Sequence, residues 1–404
     1  MKNQFLGIFF YLLYLLERLL HQLLLFYPER PRAMLAAHKK FLFARCSELM
    51  LMTAFVLLYF QHHTTDISLI LGYYHTQPIL SATDHIVALL LCCVALIKCA
   101  QLPLHGWLIQ VVESPTPVSA LLHAGIINLG GFLLLLFAPL LSLAIFAQWL
   151  LLVVAGLSCV VAALVMMTRI SIKVRLAWST IAQMGLMLIE CALGLYELAL
   201  LHLLAHSCYK AHAFLVSGEA VNHYLRKRYV QADLPNAMHW FAAACCVTAV
   251  SFVLIIARGL PVLWSPWILI AIAVLSMLAF HFQSNSAGLS WRAIWIAVLG
   301  VMVYTVAGQL THQLVPTVSV PQAYADAWVS LLFISLFWLF LLIQYAPHGP
   351  TQRRWFIALN AGFYLDEWST RATLYLWPIS LPATQSKNVA LSQSTNVINS
   401  NEVK

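Results

Sequence analysis

Long apolar runs, repeated along almost the whole chain, restrict most strongly how this sequence can fold. About eleven runs have roughly 20 residues, the length of a helix that crosses ~30 Å of hydrocarbon. They lie near 5–27, 41–60, 84–101, 116–137, 147–167, 173–194, 196–217, 238–258, 263–282, 290–311 and 325–346. We therefore predict an all-α polytopic membrane protein with about eleven transmembrane helices.

The composition excludes a soluble globular protein. Of the 404 residues, 62% are hydrophobic and only 9% are charged, whereas a soluble domain has about 25% charged residues. The first run is too long for a cleavable signal peptide and lacks a small-residue cleavage site. The nine cysteines form no Cys-x-x-Cys motif, so neither a zinc site nor a disulfide framework is indicated.

Basic residues in the loops predict the topology, because Lys and Arg collect on the cytoplasmic side. We take the loop 28–40 as cytoplasmic and let successive spans alternate in direction. The loops on the opposite side then contain only one Lys or Arg, Arg258. The cytoplasmic set is then Arg30, Arg32, Lys39, Lys40, Arg169, Lys173, Arg175, Arg226, Lys227, Arg228, Arg292, Arg353 and Arg354. The C-terminus is accordingly predicted to be cytoplasmic.

Three regions follow from the composition along the chain. Residues 1–346 are predicted to form a transmembrane translocation domain. Residues 347–382 mix Arg353 and Arg354 with Trp, Phe and Tyr, which is typical of an interfacial amphipathic segment. Residues 383–404 are rich in Ser, Asn, Thr and Gln, so we expect a disordered tail. No glycine-rich nucleotide loop and no soluble domain are present, so we predict no cofactor and no extramembrane active site.

A helix break is predicted after Lys98. Pro103 has no N–H group, so the carbonyl of Cys99 loses its helical partner and the helix 84–101 should end there. The segment 102–115 fits a re-entrant or broken helix, a feature with which transporters hold ions. A lysine that snorkels to the interface from a helix end is the alternative.

Pro115 and Pro117 mark the far end of this break. Ser114 is a plausible N-cap and Pro115 a natural first helical residue. His123 follows eight residues later, roughly 12 Å along the next helix. A single histidine on an apolar face is usually a hydrogen-bonded core residue, so the pattern alone leaves its role open.

His202, His206 and Lys210 have the spacing i, i+4, i+8, which places them on one face of one helix. Imidazole titrates near neutrality, and burial makes a lysine release its proton more readily, so the three could form a proton wire. Metal binding is the alternative, because i, i+4 histidines can share zinc. No helical Glu-x-x-His partner or third ligand accompanies them, so we predict no metal.

Carboxylates within the apolar runs are costly unless they have a partner. Glu48 lies in the second run, and Lys98 would be a suitable partner for it. Glu190 lies near the end of the sixth run and is a weaker candidate. Glu17 could pair locally with His21 or face another helix, and the sequence does not decide between these arrangements.

Over about residues 38–220 the chain resembles the antiporter-like subunits of respiratory complex I and of Mrp antiporters. The motifs are Lys98-x-Ala-Gln-Leu-Pro103-Leu-His-x-Trp107, Glu113-x-Pro115-Thr-Pro117-Val-Ser-Ala-Leu-x-His123, Thr168-Arg-Ile-Ser-Ile-Lys173 and His202-Leu-x-x-His206-x-x-x-Lys210. The resemblance implies an antiporter-like helix bundle. It also implies that Lys98, His123, His202, His206 and Lys210 carry protons and that Glu48 is a modulating carboxylate.

Among these subunits, the sequence motifs are most similar to those of the DabB family, the membrane subunits of bacterial inorganic-carbon accumulating complexes. The motifs include Tyr27-Pro-Glu-Arg-Pro-Arg-Ala and Leu195-Tyr-Glu-Leu-Ala-Leu-Leu-His-Leu-Leu-Ala-His-Ser. This resemblance implies a protein of the bacterial inner membrane that passes protons or Na⁺. It further implies that a peripheral, zinc-containing, DabA-like partner on the cytoplasmic face uses the gradient for CO₂ hydration or bicarbonate accumulation.

Two departures from the family pattern lead to further expectations. The family has several helices before the first run, so this chain is expected to be short at its N-terminus or to be complemented by another chain. The run 238–258 has no internal Pro or charge, whereas complex I subunits have a second broken helix there, so a full antiporter exit path is in doubt. Alternative functions are a subunit of NADH-quinone oxidoreductase or of an Mrp antiporter, a membrane scaffold, and an intramembrane metalloenzyme using His202 and His206.

Overall fold

The computed structural model describes residues 6–27, 29–76, 79–219, 234–258, 263–284, 295, 323–345 and 349–378. The regular elements in these ranges are helices. They are α1 (Leu6–Leu24), α2 (Pro31–His62), α3 (Ile67–Thr76), α4 (Ala82–Lys98), α5 (Gly106–Gln110), α6 (Thr116–Ala124), α7 (Leu129–Leu136), α8 (Ala138–Leu143), α9 (Ile145–Thr168), α10 (Ile172–Ala192), α11 (Tyr196–Leu215), α12 (Ala237–Arg258), α13 (Ser265–Ser284), α14 (Ala323–Tyr345), α15 (Pro350–Asn360) and α16 (Glu367–Leu376). Short 3₁₀ turns join several of them.

Seven helical stretches in the described ranges are long and apolar enough to cross a membrane. They are Leu6–Leu24, Pro31–His62, Thr116–Leu136, Ile145–Thr168, Ile172–Ala192, Ser265–Gln283 and Ala323–Tyr345. The predicted all-α membrane fold is confirmed, whereas the count of about eleven spans is not. The predicted span 290–311, apart from residue 295, and the predicted tail 383–404 lie outside the described residues.

The helices pack into one bundle around the long pair α9 and α10. α4 packs against α2 and α9, while α11 packs against α6 and α10. α9 and α10 approach so closely at Gly185 that a Cβ there would lie 2.8 Å from the carbonyl oxygen of Ala155. Small residues at such crossings let membrane helices associate through their backbones.

The predicted break after Lys98 is confirmed. α4 ends at Lys98, residues 99–105 leave the helical path, and α5 with the 3₁₀ turn Val111–Glu113 follows before α6 begins. The predicted Ser114 cap is wrong by one residue, because Pro115 is the N-cap of α6. Ser114 instead closes the preceding turn by donating from its hydroxyl to the carbonyl of Val111 at 2.7 Å.

The chain after α14 forms two short helices that pack on the bundle. α15 contacts α9, and α16 contacts α2. The turn between them contains Gly362, whose φ of +63° suits glycine and where an added Cβ would lie 3.2 Å from the Trp178 ring. We call Gly349–Trp377 the C-terminal segment.

Candidate functional site

The first group of buried charges surrounds Lys98 at the break. The Lys98 ammonium donates to Glu17 Oε1 on α1 at 2.9 Å. Lys40 on α2 donates to the second oxygen of the same carboxylate. The Glu17 carboxylate thus bridges two ammonium groups contributed by two other helices. All three side chains are buried.

A small cavity adjoins this bridged trio. Its volume is about 20 Å³, and its walls include Glu17, Lys40, Ser47, Lys98 and Trp107. One water needs ~10–15 Å³ and two or more polar partners, so the cavity has room for about one water molecule in contact with ionisable groups.

Glu48 lies near this trio but has another direct partner. Arg45, one helical turn away, donates to Glu48 Oε1 at 2.7 Å. The direct Glu48–Lys98 pair suggested by the sequence is therefore not formed, because Glu17 takes the contact with Lys98. The local Glu17–His21 pair is likewise replaced by contacts to two other helices.

The sequence left two arrangements open for Glu17, and the structure has the one in which its carboxylate faces other helices. The buried residues of α1 are Leu6, Leu13, Glu17, Leu20 and Leu24. Glu17 thus lies on the same stripe as Leu13 at i−4 and Leu20 at i+3. A carboxylate on the apolar stripe of a helix was the signal that could have predicted its inward orientation.

The second group of buried polar residues lies on α11. His206 and Lys210 are buried and His202 is half-buried, while His212 is exposed. The predicted common face of His202, His206 and Lys210 is therefore confirmed, and it is turned toward the bundle.

The partners of this second group differ along the helix. His202 Nδ1 lies 3.1 Å from Glu190 Oε2. Lys210 donates to Ser179 Oγ at 2.7 Å and to the carbonyl of Leu176 at 3.3 Å. Neither ring nitrogen of His206 has a hydrogen-bond partner among the described residues. Unpaired buried polar atoms are rare in proteins and call for an explanation.

His123 on α6 joins this group. Its ring is fully buried, stacks on Phe214 of α11 at 4.3 Å, and places Nδ1 3.1 Å from Thr180 Oγ1. Thr180 directly follows Ser179, the partner of Lys210, on α10. Successive hydroxyls of α10 thus hold a residue of each of the two flanking helices.

Gln101 connects the break to α10. Its amide nitrogen, three residues after Lys98, donates to the carbonyl of Ile181 at 3.2 Å and to that of Cys99 at 2.8 Å. Ile181 follows Thr180, so the break is fixed beside the residue that holds His123. The remaining predicted residues, Pro103, Pro115 and Pro117, delimit the break itself. In the described ranges there is no group of three or more His, Cys, Asp or Glu side chains placed to hold a metal ion.

The chain matches a known membrane family over most of its length. The model of the family described as NADH:quinone oxidoreductase/Mrp antiporter, TM, matches residues 8–299. A chain from an Mrp complex of Dietzia sp. superposes with a TM-score of 0.51 at 22% identity, covering 92% of this chain and 43% of that chain. At this identity the superposition shows a shared fold.

Sequence relatives carry two kinds of name. A "probable inorganic carbon transporter subunit DabB" of Hydrogenovibrio crunogenus is 48% identical over 90% of this chain and 70% of the relative. DabB2 of Halothiobacillus neapolitanus is 36% identical over 92% of this chain and 70% of the relative. Subunit L of NADH-quinone oxidoreductase of Rhodobacter capsulatus is 33% identical over only 49% of this chain and 29% of the relative.

Proposed function

This chain belongs to the NADH:quinone oxidoreductase/Mrp antiporter membrane family and, within it, to the DabB subunits, and we therefore propose that it is the membrane subunit of an inorganic carbon transporter. We infer further that it conducts protons across the bacterial inner membrane. The observation on which this rests is the buried Glu17–Lys98 pair at the helix break. Ionisable groups at membrane depth are costly and typically mark ion or proton pathways.

Lys98, Lys40 and Glu17 form one end of the proposed path. The Glu17 carboxylate contacts both lysines. When one lysine loses its proton and its charge, Glu17 can therefore move toward the other. The trio also adjoins a small cavity that has room for about one water molecule. Glu48, held by Arg45, contributes charge nearby without a direct contact to Lys98.

His123, His202, His206 and Lys210 form the other end. Gln101, three residues after Lys98, binds α10 next to Thr180, the partner of His123, so it links the break to this group. The unpaired nitrogens of His206 fit a residue that exchanges protons with transient partners rather than one that fixes the core. This group consists of amine and imidazole donors, with one carboxylate on His202. Such groups carry protons, whereas hard cations prefer oxygen ligands; we therefore propose H⁺ rather than Na⁺.

The energy of the gradient would be used by a soluble partner. We propose a DabA-like zinc protein on the cytoplasmic face, to which the loop charges assign the C-terminal segment. The outer side of this segment exposes large aromatic residues, including Trp355 at 60% and Tyr375 at 86%. Aromatic anchors with charged neighbours are typical of binding hot spots.

Proton flux into liposomes tests the conduction proposal. The purified chain, or its complex, is reconstituted with a trapped pH-sensitive dye, and a potassium diffusion potential drives the ion. We expect acidification with the wild type and background rates with Lys98→Ala. Background flux from the correctly inserted wild-type complex would favour the membrane scaffold instead.

Co-purification tests the docking proposal. Trp355→Ser with Tyr375→Ser should lower recovery of the soluble subunit while Asp366 stays in place. Tyr11→Ser, which changes an aromatic of α1 that is 62% exposed, is the matched control and should retain recovery. Removing the whole segment is less informative, because Asp366 pairs with a buried lysine of α2. Unchanged recovery with the double variant would move the interface to the cytoplasmic loops.

A further inference from the structure

Lys39, next to Lys40 on α2, is a further buried lysine that belongs to neither group described above. The side chain of Lys39 is 0% exposed, yet its partner comes from the far end of the chain. Lys39 Nζ donates to Asp366 Oδ1 at 2.9 Å, to Asp366 Oδ2 at 2.8 Å and to Thr370 Oγ1 at 2.6 Å. The C-terminal segment thus supplies the counter-charge of a lysine inside α2.

The same carboxylate contacts the broken helix. Gln110, the last residue of α5, donates from Nε2 to Asp366 Oδ2 at 3.1 Å. Gly106, the first residue of α5, lies so close that an added Cβ would come within 1.4 Å of Asp366 Oδ1. Asp366 therefore touches both ends of the short helix that follows the break after Lys98.

Neighbouring contacts fix Asp366 in this position. Ser369 Oγ donates to Asp366 Oδ1 at 2.6 Å. Trp377 stacks on His38 of α2 with 3.9 Å between ring centroids and 8° between planes, and Trp368 meets Phe43 of α2 edge to face. The inner side of the segment is packed against α2, while its outer side presents the exposed aromatics.

We propose that the C-terminal segment is a clasp on the broken helix, and that Asp366 is the positioning residue through which it fixes α5 relative to α2. The effect on transport rests on the proposed proton path, because α2 carries Lys40 and α5 follows Lys98. The clasp itself is a statement about local structure and can be tested without transport. A soluble protein bound to the outer side of the segment would then act on the path through Asp366.

Asp366→Asn is the main test. It keeps the shape of the side chain and removes the charge that compensates Lys39, so α5 should open more often. In the full-length protein in nanodiscs, we expect amide exchange in 102–115 to rise about tenfold, as a local opening free energy falls, with no change in 147–167. Proton flux should fall with it. Glu367→Gln is the matched control, because Glu367 is exposed and pairs with the exposed Arg371.

A steric variant keeps the test independent of charge. Gly106→Ala adds a better helix former to α5 but places its Cβ on the Asp366 carboxylate, so exchange in 102–115 should again rise. Gly72→Ala on α3, where an added Cβ meets no atom within 4 Å, should change nothing. Unchanged exchange in both Asp366→Asn and Gly106→Ala would overturn the clasp.

A double variant separates positioning from proton transfer. Lys39→Met with Asp366→Leu replaces the ion pair by apolar contact, which is often neutral or stabilising, so both exchange protection and flux should return. Restored protection with flux still absent would mean that the pair itself carries protons and would overturn the positioning role. If the wild type conducts no protons, the proposed function fails while the exchange measurement still decides the clasp.

Discussion

Lys98 and Lys210 are both buried lysines in one bundle, but their surroundings differ in kind. Lys98 faces the carboxylate of Glu17, which Lys40 also contacts. Lys210 faces a hydroxyl and a carbonyl of α10 and makes no salt bridge with the described residues. The charge of Lys98 is thus compensated by a carboxylate, whereas Lys210 has only neutral hydrogen-bond acceptors.

This difference in surroundings leads us to expect different roles for the two ends of the proposed path. An adjacent carboxylate stabilises the ammonium form, and removing one partner of a buried pair leaves an uncompensated charge. A lysine among neutral acceptors lacks that stabilisation. We therefore propose that the Lys98 end holds charge and that the Lys210 end exchanges a proton with neighbouring imidazoles.

Lys98→Ala should have the largest effect on transport, since it removes the charge at the break. We expect carbon uptake to be lost with the protein still in the membrane, measured as failure to support growth at ambient CO₂ at wild-type expression. Lys98→Arg should fail too, because Arg does not release its proton at usable pH. Wild-type growth supported by either variant would contradict the role of Lys98.

The contrast in compensation predicts a contrast in stability. Glu17→Ala should lower the free energy of unfolding by about 3–5 kcal/mol, because two buried ammonium groups lose their partner. Lys210→Met should cost only ~1–2 kcal/mol, mainly for the Ser179 hydroxyl left without its donor. Thermal unfolding can be followed with a thiol-reactive dye once the exposed Cys46, Cys208 and Cys245 are blocked, since Cys92, Cys99, Cys159 and Cys191 are buried and free. Equal destabilisation by the two variants would remove the distinction.

The histidines of α11 test the inward face at the Lys210 end. His206→Ala should reduce proton flux by roughly 100-fold, the usual contribution of a positioned proton-transfer group. His212→Ala changes an exposed residue of the same helix and should leave flux unchanged. Equal losses at equal expression would show that the orientation of the helix face does not matter.

Variants of Glu48 and Glu17 show which carboxylate acts at the Lys98 end. The Glu48 variant has the smallest expected effect on flux. Glu48→Gln keeps a hydrogen bond to Arg45 and should lower flux only about threefold, which corresponds to ~0.6 kcal/mol. Glu17→Gln should lower it far more, because Lys98 loses its direct partner. The reverse order would restore Glu48 as the main modulating carboxylate.

The sequence by itself determined the fold class and the break. Apolar run length predicts membrane helices wherever the runs occur, and Pro103 ends a helix through a local loss of hydrogen bonding. The common face of His202, His206 and Lys210 also follows from helical periodicity alone. Each of these features depends on residues close together in the chain. The transport roles of these residues remain predictions.

Tertiary structure alone decided which charges meet. Glu17 and Lys98 are 81 residues apart, and Lys39 and Asp366 are 327 apart. The sequence offered Glu48 as the partner of Lys98 and placed Asp366 in a segment expected to lie at the membrane interface, but Glu48 pairs with Arg45 and Asp366 pairs with Lys39. The physical reason is that a buried charge takes whichever opposite charge the packing of helices brings within reach, and no local pattern encodes the order in which helices pack.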